Sequence, residues 1–253
     1  MLRKFGALLK YEFLFYFRIL PPLYLVLILI ALAVRFQGNS RGNIFWGMNE
    51  TLWRFVWMAM IVAISVITVI LIIQRYIDNF FKAPGALMLT LPITVWVLVA
   101  SKAIAAFCMV LLGVISVIIS GGIYYMGTEN WIRSYIMDLN FQGIVLTDLA
   151  VNSLVAITVL IMSFQQICLV YAVITSSYIL PRFRFAAGCA MYLLIENFLV
   201  QRLFSYVSDF SANQLSNAGP FFSRLPTCLM ALALAALFFW AAGMLLNRSY
   251  NLE

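Results

Sequence analysis

Four polar side chains, Gln165, Gln166, Glu196 and Asn197, interrupt stretches that are otherwise apolar. Their amides and single carboxylate are the groups best suited to meeting a polar ligand in such a setting. A charge at bilayer depth costs at least about 2.5–3.5 kcal/mol, so it marks a functional site by default. The four residues are therefore a candidate substrate pathway. Interhelical hydrogen bonding, at about 0.6 kcal/mol per contact, and a place for Glu196 near the outer interface are the competing uses.

Other chemistries lack their residues. The chain has no histidine, which removes a Ser-His-Asp set and a usual zinc ligand. No GxxxxGK(S/T) loop is present, so ATP is not held by the P-loop route. Gly38, Asn39, Ser40, Arg41 and Gly42 match the GxSxG pattern, yet a nucleophile elbow needs a strand–turn–helix setting and a histidine base. These five read as a turn. Cys108, Cys168, Cys189 and Cys228 lie in apolar runs and read as small buried residues, not as ligands or disulfides. No paired carboxylates offer acid–base work inside the apolar runs. Asn49, Glu50 and Thr51 form a glycosylation sequon. No catalytic, cofactor-binding or metal-binding residue is expected on this chain.

The elements that would carry the four polar residues follow from composition. Of 253 residues, 65% are hydrophobic and 10% are charged, whereas a soluble domain carries roughly 25% charged residues to keep its surface wet. The mean hydropathy is +1.02. Lipid is the solvent such a chain requires. Its net charge of +7 is scattered between apolar runs and forms no stripe for nucleic acid.

Six segments approach the roughly 17–25 residues that a helix needs to cross a bilayer. They are 19–35, 53–73, 103–126, 149–174, 186–207 and 227–246. Helices are required, because an open sheet edge in lipid leaves backbone groups unpaired. Cytoplasmic loops favour Lys and Arg. With the N-terminus inside, the inner side holds Arg3, Lys4, Lys10, Arg18, Arg75, Lys82, Lys102, Arg182, Arg184 and Arg248. The outer side holds only Arg35, Arg41, Arg54, Arg133, Arg202 and Arg224. Both termini are then cytoplasmic. At a rise of about 1.5 Å per residue from Arg184, Glu196 stands about 18 Å up the fifth span, past the midplane of a ~30 Å core.

Residues 1–18 differ from the spans. On a helical wheel Arg3, Lys4, Lys10 and Arg18 share an arc of roughly 120°, opposite Leu2, Phe5, Leu9, Phe13 and Tyr16. This is the pattern of a basic amphipathic helix lying in the inner interface, with Pro21 and Pro22 turning the chain into the first span. The sequence thus predicts an all-α, polytopic membrane protein with six transmembrane helices and an N-terminal amphipathic interfacial helix. An extension of the first span is the other reading of 1–18.

The inner loop at 75–92 is unusually apolar. Asp78, Phe80 and Phe81 are followed by Pro84 and Gly85, a turn signal. Leu87, Met88 and Leu89 then lead to Pro92, and Thr94 is placed to cap the next helix. So much exposed apolar surface calls for a partner or the membrane interface.

This loop resembles the ABC transporter type-2 permease family, whose small bacterial members read xGxLxLTLPxxxxxLLxSK. Gly85, Leu87, Leu89, Thr90, Leu91, Pro92, Ser101 and Lys102 stand at matching places. The Leu9, Lys10, Tyr11, Glu12 run and the short tail from Leu245 to Glu253 are also similar to that family. The resemblance implies one transmembrane permease domain over 1–253. It implies pairing with a second copy or a sister permease, and two separate cytoplasmic ATPase subunits that hold the ATP and magnesium. The 75–92 loop would carry the coupling helix, with Asp78, Phe80, Phe81, Pro84, Gly85, Leu87, Met88, Leu89 and Pro92 meeting the ATPase. Short re-entrant helices are implied at 201–226. Family members often have more acidic residues before the glycine, where this chain has only Asp78.

The expected function is a non-enzymatic one: a permease subunit in the bacterial plasma membrane, exporting an antimicrobial peptide, drug or lipid-like compound. Ala231, Ala235, Ala236 and Gly243 on the last span suit close helix approach. An ion- or proton-coupled carrier would show inverted repeats, and none is evident. An intramembrane lipid-modifying enzyme would need acids or histidines that are missing.

Overall fold

A computed structural model describes residues 2–38, 50–81, 94–125, 149–178, 184–215 and 220–250. Every element among the described residues is helical. The helices are α1 (Leu2–Gly38), α2 (Glu50–Phe81), α3 (Val95–Tyr125), α4 (Leu149–Ser177) and α5 (Arg184–Leu194). A π-helical turn (Ile195–Val200) then leads into α6 (Gln201–Leu215), and α7 (Pro220–Tyr250) completes the described chain.

Five stretches are long and apolar enough to cross a membrane: Phe5–Ala33, Phe55–Phe81, Val95–Ile123, Ala156–Ser177 and Leu225–Asn247. Only 22–39% of the residues in the most apolar part of each are buried, and large apolar side chains on all five stand exposed. Phe55 at 72% exposure and Val62 at 62% are examples. Helices apolar on both inner and outer faces belong in lipid, and the five are compatible with a multi-pass membrane protein. Hydroxyls on these helices return to their own backbone: Thr68 donates to the Ile64 carbonyl and Ser101 to that of Leu98, each at 2.8 Å. No bulk water is needed to satisfy them.

Two expectations change. The sixth stretch, 186–207, is not among these five: it lies in a continuous helical run in which α5, the π-helical turn and α6 follow one another as pieces of 11, 6 and 15 residues. The second change concerns residues 1–18, which were expected to lie apart from the first span. The chain does not turn at Pro21 and Pro22; α1 runs through both. Glu12, Tyr16, Leu20, Tyr24, Leu27 and Ala31 are all buried, at spacings of three and four. That seam keeps one face across the proline pair, so packing holds the helix on both sides of two missing N–H donors. Prolines are tolerated in such helices where neighbours offset the lost bonds.

The chain forms two compact units, Met1–Gln74 with Cys108–Ile144, and Arg75–Phe107 with Val145–Glu253. In the first, the Tyr24 hydroxyl donates to the Met109 carbonyl at 3.2 Å. A side chain at Gly113 would stand 3.2 Å from that hydroxyl, so the glycine lets the tyrosine reach across. Arg35 donates to the Ile123 carbonyl at 3.4 Å.

In the second unit, α4 and α7 are the most extensively packed helix pair among the described residues. Ala231, Leu234, Ala235, Phe238, Ala242 and Leu246 form the buried stripe of α7. Lipid is as apolar as leucine, so this pairing rests on close contact that small residues permit. Gly243 extends the rule to α3: any side chain there would collide with the ring of Trp96. Ala236 is exposed instead. Helix α3 starts at Val95, where the expected Thr94 cap places it, and the Thr94 carbonyl accepts from Val97 and Leu98. Helix α7 starts seven residues before the expected span, at Pro220, where a missing N–H costs nothing.

Candidate functional site

The four candidate pathway residues separate into three situations, all within the second unit. Gln166 on α4 and Glu196 in the π-helical turn come together. Gln166 Nε2 donates to both carboxylate oxygens of Glu196, at 3.0 and 3.1 Å. The other end of the same amide is held as well, since the Tyr192 hydroxyl donates to Gln166 Oε1 at 3.2 Å. Tyr192 precedes Glu196 by one helical turn, so both face α4 from α5 and its continuation. That i, i+4 pairing was the signal available in the sequence for Tyr192.

Helix α5 reaches α4 closely because of what stands at their crossing. A side chain at Gly188 would lie 3.4 Å from the Ser177 Cβ, and Ser176 contacts Met191 Sδ at 3.9 Å. These contacts and the Gln166 cluster run in opposite order along the two helices, so α4 and α5 are antiparallel.

Gln165 and Asn197 do not join the pair. Gln165 is 1% exposed, and its Nε2 has no hydrogen-bond partner among the described residues. Asn197 is exposed, and its Nδ2 donates to the Leu193 carbonyl at 2.9 Å. It thereby serves the backbone of the helix that the π-helical turn distorts. Such turns carry one residue more than the α-helical count and recur at functional sites.

The segment expected to meet a partner is described only in part. Arg75–Phe81 is not loop but the end of α2; Pro84, Gly85, Leu87, Met88, Leu89 and Pro92 lie outside the described residues. Asp78 is half-buried, while Phe80 is 3% exposed and therefore packed within this chain. Phe80 lies under the Lys102 ammonium, 5.3 Å from ring centre to Nζ. Phe81 stacks on Tyr178 at 3.7 Å. Tyr76 stacks on Tyr171 at 4.1 Å, and its hydroxyl shares a 2.8 Å hydrogen bond with Thr175. Tyr171, Thr175 and Tyr178 recur at helical spacing on one side of α4, and Tyr76 and Phe80 do so on α2. The end of α2 is thus fastened to α4 by rings rather than left as a free loop.

An open apolar groove of about 420 Å³ lies elsewhere in this unit, lined by Ala103, Phe107, Phe164, Leu232, Ala236 and Phe239 among others. Phe107 and Phe164 meet edge to face across it, 5.5 Å apart. The four cysteines are free; Cys168 is buried as expected, but Cys189 is exposed. No metal-holding group of His, Cys, Asp or Glu occurs among the described residues.

No protein family, curated protein or solved structure matches this chain.

Proposed function

We propose that the chain is the membrane-spanning subunit of an ATP-driven exporter, with hydrolysis on separate cytoplasmic ATPase subunits. In this reading Arg184–Leu215 makes a sixth crossing, both termini are cytoplasmic, and the protein sits in a cell membrane beside a second copy or a sister permease. Its cargo is an antimicrobial peptide, drug or lipid-like compound. The chain itself is inert without the ATPase.

One observation supports this reading above others: the ring contacts that fasten the end of α2. Coupling requires that motion imposed on the 82–93 segment reach the spans without being lost in a hinge. Tyr76 on Tyr171, Phe81 on Tyr178 and Phe80 under Lys102 tie that segment's root to α4 and α3. Aromatic pairs of this kind contribute about 0.5–1.5 kcal/mol each, and the Tyr76–Thr175 hydrogen bond about 0.5–1.5 kcal/mol more. Together these exceed thermal energy several-fold. A displacement of the loop would therefore carry α4 with it, and α4 holds Gln166.

The test begins with tagged full-length protein purified from its native membrane, its companions identified by mass spectrometry. A P-loop ATPase should co-purify. Replacing Leu87 and Leu89 together by Asp should abolish that association while the permease remains inserted and monodisperse. If the doubly substituted protein still held its ATPase and supported transport, the coupling assignment would be wrong.

A further inference from the structure

The Gln166–Glu196–Tyr192 cluster has a chemical direction. Every donor in it points toward Glu196 or toward the amide that holds Glu196. The carboxylate offers about four lone-pair positions, yet among the described residues it receives hydrogen bonds from a single nitrogen, Gln166 Nε2. No Lys or Arg pairs with it among the described residues. The residue is half-buried rather than sealed. A carboxylate so placed is costly unless something positive or protic covers it.

We propose that this cluster is a recognition site for a lipophilic organic cation. Three features narrow the ligand to that class. A hard metal ion requires about six or more oxygens, and one carboxylate does not supply them. No Lys or Arg of the described residues pairs with the carboxylate, and a ligand that carries a positive charge is the complement it fits. Leu193 and Leu199, three positions to either side of Glu196 and so on its flanks, are exposed apolar side chains, which suit an apolar body beside the charge. Tyr192 adds an aromatic ring one turn away, a further attraction for a cation with weak hydration. Glu196 stands one helical turn beyond Tyr192, and the Tyr192–Gln166 bond fixes the amide so that its N–H side meets the carboxylate.

The inference rests on the transporter reading of the Arg184–Leu215 crossing and names the cargo class that this crossing would select. The test uses full-length protein in phosphatidylcholine nanodiscs, with two probes of similar shape and opposite charge, tetraphenylphosphonium and tetraphenylborate. Equilibrium dialysis should show preferential binding of the cation. Glu196→Gln should weaken it about tenfold or more and leave the anion unaffected. The amide introduced by that substitution still offers Gln166 an acceptor, so folding should be retained. A measurement on the unaltered protein is independent of that expectation: labelling of Glu196 by a hydrophobic carbodiimide, followed by mass spectrometry, should be blocked by the cation and not by the anion. Equal binding of the two probes, unchanged affinity in Glu196→Gln, or no selective protection would each overturn the proposal. Neither measurement involves an ATPase or transport. A negative result therefore removes this site alone, and failure to find an ATPase would leave it standing.

Discussion

Glu196 and Asn197 are neighbours in sequence with opposite uses. The carboxylate reaches another helix, whereas the Asn197 amide returns to the Leu193 carbonyl of its own. The difference predicts unequal costs of mutation. Gln166→Leu strips Glu196 of its donor and Tyr192 of its acceptor, and should destabilise the protein by about 1–3 kcal/mol. Asn197→Leu should cost less, since only one exposed contact is lost. Thermal unfolding of the two variants in detergent would measure this; a Gln166→Leu protein as stable as the parent would show the cluster to be energetically idle. The sequence already marked Gln166 and Glu196 as unusual, because polarity in an apolar run is visible without coordinates. It could not say that they meet. Pairing across 30 residues depends on how two antiparallel helices are phased, and Gln165, next in line, faces elsewhere for the same reason.

Among the elements, α2 shows why local polarity is a poor guide to the loop's first half. Arg75–Phe81 contains an acid, an amide and a base, which look like a polar loop. Its aromatic residues instead find ring partners on α4, and that packing carries the helix to Phe81. Tertiary contact outweighed local polarity. The same competition decided α1, where a buried seam overrode two prolines. The α2–α4 tie is open to a direct measurement. In a double-mutant cycle, Tyr76→Phe and Thr175→Val should show a coupling of about 0.5–1.5 kcal/mol. Additive effects would mean that the hydroxyl pair contributes nothing and that the ring stack alone fastens the two helices.

For the whole molecule, the decisive number is the parity of crossings. Apolar composition made the helical, membrane-suited architecture legible at once, and five stretches follow from run length alone. The remaining stretch was harder because Glu196, Asn197, Gln201 and Arg202 fall together, and those same residues accompany the break into α5, the π-helical turn and α6. If Arg184–Leu215 crosses, the two termini lie on one side of the membrane; if it does not, they lie on opposite sides. Reporter fusions at each end should both report the cytoplasm. An outside C-terminus would reduce the crossings to five and leave Glu196 short of the far leaflet.

The π-helical turn has a consequence for the chain's tolerance to length change. Shortening a helix by one residue ordinarily rotates everything beyond the gap by about 100°. Residues 195–200 already hold one residue more than an α-helix of the same span. A one-residue deletion at Phe198 or Leu199 would remove that surplus and let α5 and α6 keep their facing. Glu196 lies before either position, so its four-residue spacing from Tyr192 would be kept. This stretch is thus the place where the chain can spare a residue without turning one helix against the next.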